Sequence, residues 1–332
     1  MFNTDHYYNS KIYLLYDAKV INPPFFNKII VLRDDLTNDE LMMIYNMLIV
    51  NGQLLFHKKY VKFFKNASLY KNEYYIFVKT SNLQYIMHYD RTIEFIIAGA
   101  QKSGTTALSL NIGKHPDIFI DKRKNPMDSE IHFFDIYWKK GISFYKKMFD
   151  YSKKIVGEKT PDLLYLSYTF PLIQSVNPYT KFIIILRNPV DRAFSSWKFT
   201  TKYFGENRPF ETAIQQELDN LGKENITFYT SVTHYIQRGL YFKQITELLK
   251  WFPMQNILVL ISEKVKNNMV DEYNKIYTFL NIKTLHNITY DLEFESNDNL
   301  VLSSNTYDNL LQFYKKDIDS LEQLLNIKTN WM

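Results

Sequence analysis

The stretch Glu94-Phe-Ile-Ile-Ala-Gly99-Ala-Gln-Lys102-Ser-Gly104-Thr-Thr-Ala-Leu-Ser-Leu-Asn-Ile-Gly113 decides the fold. Phe95, Ile96, Ile97 and Ala98 form a short apolar run suited to a buried strand. Gly99-Ala100-Gln101-Lys102-Ser103-Gly104 then turns the chain. A helix is expected from near Thr105, with Ala107, Leu108, Leu110 and Ile112 apolar and Gly113 as its stop. A strand, a glycine-bounded loop and a helix N-terminus together cradle anions. Loop N–H groups converge there, and the helix's unpaired N–H groups and dipole add positive potential.

Outward from this stretch, strands and helices alternate from Arg91 onward, the pattern of a parallel sheet covered by helices on both faces. Lys181–Leu186 and Asn256–Ile261 are further buried strands, and 155–157 is a weaker one. Helices are expected over 141–149, 162–176, 189–201, 210–221, 234–252, 264–280 and 306–326. In such sheets ligands bind at the carboxyl ends of the strands. Residues 1–90 suggest a small α/β appendage, with strands at 11–15, 28–32 and 73–79 and a helix at 37–50 ended by Asn51-Gly52. The fold class is α/β, a P-loop-like domain over 91–332 behind this appendage.

The 332 residues are 46% hydrophobic, enough for a large core. A net charge of +5 gives no case for nucleic acid and suits an anionic ligand equally well. Cysteine is absent, which removes thiolate nucleophiles, disulfides and Cys-ligated zinc. The seven histidines form no H-x-x-x-H pair, so no metal site is expected. The N-terminus lacks the apolar core of a signal peptide, and the longest apolar run, 41–50, is half a membrane span. The expectation is a soluble, cytoplasmic chain.

Gly99-x-x-x-x-Gly104 invites a nucleotide-hydrolysing reading, but that motif needs Lys and then Ser/Thr directly after the second glycine. Here Thr105-Thr106 follows, and the lysine has moved into the loop as Lys102. Sulfuryl transfer fits better. A sulfuryl group carries less charge than a terminal phosphoryl group, and one lysine can balance the charge growing on the leaving oxygen. Strand 181–186 runs into Arg187-Asn188-Pro189, and Pro189 opens a helix carrying Ser195. Arg187 and Ser195 suit a second phosphate. Two phosphate sites on neighbouring strands point to 3′-phosphoadenosine 5′-phosphosulfate (PAPS). Taken singly, Arg187 reads equally well as a strand-end ion pair to Asp191, and Ser195 as a surface serine.

These residues resemble the PAPS-dependent sulfotransferases, closest to the heparan sulfate (glycosaminoglycan) branch and its soluble microbial relatives. Gln101-Lys102-Ser103-Gly104-Thr105-Thr106 resembles the 5′-phosphosulfate loop, and Ser129-Glu130-Ile131-His132-Phe133-Phe134-Asp135 the catalytic E-x-H-F-F-D segment. Gly157-Glu158-Lys159-Thr160-Pro161 resembles the E-K-T-P turn, and Leu186-Arg187-Asn188-Pro189 with Arg192 and Ser195 the 3′-phosphate motif. Trp251-Phe252-Pro253, the strand after it and Glu263 resemble the late helix–strand unit. The resemblance covers residues 92–332. It implies Glu130 as general base, His132 as the runner-up, Lys102 at the leaving oxygen, and Lys159 and Asp135 toward sulfate or acceptor. It implies PAPS as donor, PAP as product and a small-molecule or oligosaccharide hydroxyl as acceptor, with an amine second. Basic residues around 122–154 would suit an anionic saccharide or be a solvated face. Where the family has a Gly- and Lys-bearing closing loop, residues 296–304 carry neither. Two other readings stay open: a non-catalytic module that holds PAP or an anionic glycan, and a P-loop kinase or NTPase.

Overall fold

The computed structural model describes the backbone of six strands within residues 2–78, and residues 92–121, 130–222, 226–285, 289 and 300–332. The chain divides into two compact units. One is Met1–Thr92 with Lys140–Lys146 and Pro171–Pro178; the other is Ile93–Lys139 with Lys147–Phe170 and Tyr179–Met332.

The first unit carries a six-stranded sheet of β1 (Phe2–Tyr8), β2 (Ile12–Asp17), β3 (Phe26–Val31), β4 (Leu48–His57), β5 (Ser68–Lys71) and β6 (Tyr74–Val78), in the order β1-β2-β3-β4-β6-β5. Its pairs are antiparallel except β3 with β4. The helix expected over 37–50 is corrected at its end. Leu48–Val50 begin β4, and Asn51-Gly52, read as a helix stop, lie inside that strand. Residues 37–47 are outside the described residues, as are Lys122–Lys124 and 290–299.

The second unit is built on a five-stranded parallel sheet flanked by helices. It comprises β7 (Phe95–Gly99), β8 (Ile118–Phe119), β9 (Ile155–Lys159), β10 (Lys181–Leu186) and β11 (Ile257–Ile261), ordered β11-β10-β7-β9-β8. The apolar runs form buried strands because both faces are covered. Phe95, Ile97, Ile183 and Ile185 join one core cluster with Leu108, Ile112, Leu260 and Ile276. Ile96, Ala98, Phe182 and Ile184, on the opposite face by the strand period, are equally buried. Gly157 in β9 leaves room for the Phe95 ring, since a Cβ there would lie 2.3 Å from it.

The helices are α1 (Thr105–Ile112), α2 (Ile142–Lys146), α3 (Phe170–Val176), α4 (Pro189–Tyr203), α5 (Phe210–Asp219), α6 (Tyr241–Leu249), α7 (Ser262–Asn267), α8 (Met269–Phe279) and α9 (Ser304–Leu325). Several are shorter than their apolar spacing suggested. Residues 162–169 fold as tight turns, with Asp162 C=O accepting from Tyr165 and Leu166 N–H, before α3 starts. Residues 234–240 are likewise turns; Gly239 lies where a Cβ would meet Tyr314 at 2.7 Å. The expected helix 264–280 breaks at Asn268, whose side chain accepts from Asp271 N–H and caps α8. Among the described residues no helix is long and apolar enough to cross a membrane.

After β7 the chain moves to β8 and β9 on one side, then to β10 and β11 on the other. The loops leaving β7 and β10 therefore border the crevice where open α/β sheets bind ligands.

Candidate functional site

The loop from β7 delivers Lys102, Ser103 and Gly104 into α1. Gly104 caps the helix with φ at 100°, a left-handed conformation that glycine adopts without steric penalty. No side chain caps α1, and no acidic residue sits in its first turn. The first intrahelical bond runs from Leu108 N–H to Gly104 C=O at 3.0 Å. The N–H groups of Thr105, Thr106 and Ala107 thus precede the helical ladder. Ser103 and Thr105 are buried.

Lys102 also has a left-handed backbone, φ 69°, and its ammonium lies 4.1 Å from the centre of the Phe199 ring. Burial pushes its pKa down to about 8 against the pull of Glu130, and Arg187, Arg192 and Lys198 push the same way. From β10, the Arg187 guanidinium reaches Lys102 C=O at 3.5 Å. Asn188 caps α4 by accepting from Val190 and Asp191 N–H, with Pro189 first in the helix. Asn188 N–H is itself held by Glu263 at 2.9 Å, and Trp331 donates to the same carboxylate at 3.2 Å. Ser195 is half-buried two turns into α4.

The other side of the site comes from β9 and the segment beginning at Glu130. Lys159, at the carboxyl end of β9, is only 1% exposed. Its ammonium donates to Thr106 Oγ1 at 3.3 Å and lies 3.9 Å from Glu130 Oε1. Burial lowers its pKa, with Glu130 and Asp121 opposing. Ile131 N–H bonds Lys159 C=O at 3.3 Å, and His132 N–H bonds Thr160 Oγ1 at 3.3 Å. These bonds hold the segment beside β9.

His132 links two carboxylates: Nε2 is 3.2 Å from Glu130 Oε2, and Nδ1 is 2.8 Å from Asp135 Oδ2. Burial disfavours its charge, but the hydrogen bonds to Asp135 and Glu130 outweigh burial and push the pKa up to about 10. At neutral pH it is an imidazolium with both nitrogens donating, so it has no lone pair to act as a base. The Asp135 side chain is fully buried behind it, not presented to the cleft. Its neighbours form one turn of π-helix, Phe133–Tyr137, with Phe133 and Phe134 packed on Trp138.

The structure therefore brings Lys102, Thr106, Glu130, His132 and Lys159 into one electrostatic and hydrogen-bonded group, with Arg187 beside Lys102. It also adds partners that sequence spacing did not reveal. Asp162 pairs with Arg238 at 2.6 Å, both 4% exposed by side chain. Phe199 lies under Lys102. Asp162 follows the Lys159-Thr160-Pro161 turn directly, but its partner is 76 residues away. Glu130, His132 and Asp162 offer possible metal-ligand atoms within 4.8 Å of one another. They are already drawn together by internal pairing with Asp135 and Arg238.

The sulfotransferase domain family matches residues 92–318. The chain is 24% identical over 321 residues to the membrane-associated sulfotransferase kil1 of Dictyostelium discoideum, covering 71% of this chain and 66% of that protein. It is 27% identical over 190 residues to human heparan sulfate glucosamine 3-O-sulfotransferase 6, covering 57% of this chain and 52% of that protein. It thus spans about half to two thirds of the length of these relatives. A sulfotransferase from Alicyclobacillus acidocaldarius superposes with a TM-score of 0.60 at 25% identity, over 73% of this chain and 99% of that one. The family match spans well over half of the chain, and the chain belongs to the sulfotransferase domain family.

Proposed function

We propose that this chain moves the sulfuryl group of PAPS to a hydroxyl acceptor, with residues 91–332 as the catalytic unit. The observation that carries this reading is the meeting of two residue sets at the strand ends. Lys102 comes from the loop after β7 and Thr106 from the first turn of α1, and Glu130 is tied to that turn through Lys159.

The uncapped, acid-free start of α1 with Lys102 beside it fits a phosphosulfate, and Arg187 with Ser195 fits the separate 3′-phosphate. PAPS, when bound, supplies a sulfuryl group on an activated bridging oxygen. Glu130 accepts the proton of the acceptor hydroxyl, making it a competent nucleophile. Lys102 places positive charge where the leaving oxygen becomes anionic. Lys159 orients Glu130 and the Thr106 hydroxyl together. His132 stays protonated and fixes the direction of the Glu130 carboxylate, while Asp135 fixes His132 in turn.

The relative named for heparan sulfate glucosamine supports a carbohydrate hydroxyl as acceptor. Incubation with radiolabelled PAPS and a panel of glycans and small alcohols tests the reading. Transfer to a glycan hydroxyl is expected. PAP binding without transfer to any acceptor would favour the non-catalytic module, and Mg²⁺-dependent ATP turnover without PAP binding would favour an NTPase.

A further inference from the structure

Arg192 is the fourth residue of α4 and its side chain is wholly buried, at 0% exposure. One nitrogen, Nη2, donates to Tyr235 C=O. The other two, Nε and Nη1, have no hydrogen-bond partner among the described residues. Glu217, a buried acid whose charge reaches it, is occupied in accepting Ile236 N–H at 2.7 Å and Gln237 N–H at 2.8 Å. The adjacent guanidinium, Arg238, has Asp162 as its own counter-ion. An arginine cannot shed its proton to escape burial, and a buried charge without a counter-ion destabilises a fold. A purely structural site would favour a hydrophobe of that length.

The surroundings show what the charge faces. Arg187, at the end of β10, precedes it by five residues, and Ser195 follows three residues later on the same face of α4. Tyr241, whose hydroxyl donates to Arg187 C=O at 2.9 Å, lies within the electrostatic reach of Arg192, as does the Lys102 ammonium. Arg192 therefore sits behind the two anion-holding elements and is sealed from solvent.

We infer that Arg192 is a positioning residue for the donor: an unpaired buried guanidinium whose counter-ion is the bound sulfonucleotide itself. It does not touch the ligand; it acts through the potential it sets at Lys102, Arg187 and Ser195. This inference rests on the PAPS reading. At a separation of order 10 Å and an effective dielectric of about 20, each unit of ligand charge changes affinity about tenfold.

Titration calorimetry with PAP, together with the melting temperature of the ligand-free protein, tests it on Arg192→Met and Arg192→Lys. Arg192→Met should bind PAP about tenfold or more weakly while the ligand-free protein melts no lower than wild type. Arg192→Lys, whose ammonium burial can neutralise, should approach wild-type affinity only as the pH is lowered, which Arg192→Met should not. If Arg192→Met does not fold, Arg192→Gln, which can still donate to Tyr235 C=O, provides the uncharged arm. Wild-type affinity in the uncharged variant would overturn the inference. So would an equal loss in Arg192→Lys and Arg192→Met at every pH in step with a lowered melting temperature, since that is the signature of packing. A wild-type protein that binds no PAP would remove the sulfotransferase reading, and this inference with it.

Discussion

The loop after β7 and the segment 130–137 supply residues to one site, yet their backbones differ in kind. The loop joins a fully buried strand to a regular helix, with Gly99 packed too close to Leu164 for a side chain and Gly104 at a left-handed cap. Segment 130–137 has no strand and no α-helix. It is an irregular stretch with His132 at φ 50° and one π-helical turn, pinned to Lys159 at the end of β9 and to Thr160 after it. Under the proposed function, backbone groups and fixed cations of the first meet an anion, and side-chain pairing among Glu130, His132, Asp135 and Lys159 serves a proton transfer in the second. The two should therefore fail differently: damage to the loop weakens donor binding, and damage to the pairing slows transfer while leaving binding intact.

The largest expected effect is on the acceptor side. Glu130→Gln should reduce kcat by about 10³-fold or more, the upper range for a general base, with PAP affinity unchanged in calorimetry. Full activity in that variant would remove Glu130 from the role. Next comes Lys102→Met, expected to reduce transfer about 10²- to 10³-fold and to weaken PAP as well, which Glu130→Gln should not do.

Lys102 adds a pH signature. Its ammonium titrates near pH 8 in the ligand-free site, and an anion favours the charged form. Above pH 8, binding must take up a proton, so PAP affinity should fall by up to about tenfold per pH unit. Lys102→Met should be flat over the same range, and a flat wild-type profile would contradict the placement of this ammonium beside the ligand.

Asp135→Asn keeps the shape behind His132 but removes an anionic partner from the imidazolium. The His132 pKa should fall from about 10, followed by NMR titration, and kcat should drop about tenfold without change in PAP affinity. The smallest effect is expected for Ser195→Ala: a three- to tenfold loss of PAP affinity, the worth of one hydrogen bond, with the acceptor KM unmoved.

The same contrast explains what could be read before the structure. The run 181–186 became β10 at those limits, and Thr105 to Gly113 became α1 and its cap, because burial on both faces and glycine stops are local signals. Pro189 marked the start of α4, since proline is favoured at the first helical position. Long-range partners were not legible. Nothing in the spacing shows that Asp162 meets Arg238, that Glu263 holds Asn188 N–H, or that Phe199 underlies Lys102. His132 as a doubly bonded cation, rather than a spare base, also depends on a turn that no periodicity announces. Helices over 162–169 and 234–240 were expected because the apolar spacing is shared by compact turns whose residues are buried from several sides.

The most direct test of the account is a PAP titration of the wild-type protein by calorimetry in the presence of EDTA, with Mg²⁺·ATP turnover measured in parallel. The account predicts one PAP bound per chain without added metal, a raised melting temperature and no ATP hydrolysis. Absence of PAP binding alongside Mg²⁺-dependent ATP hydrolysis would contradict it.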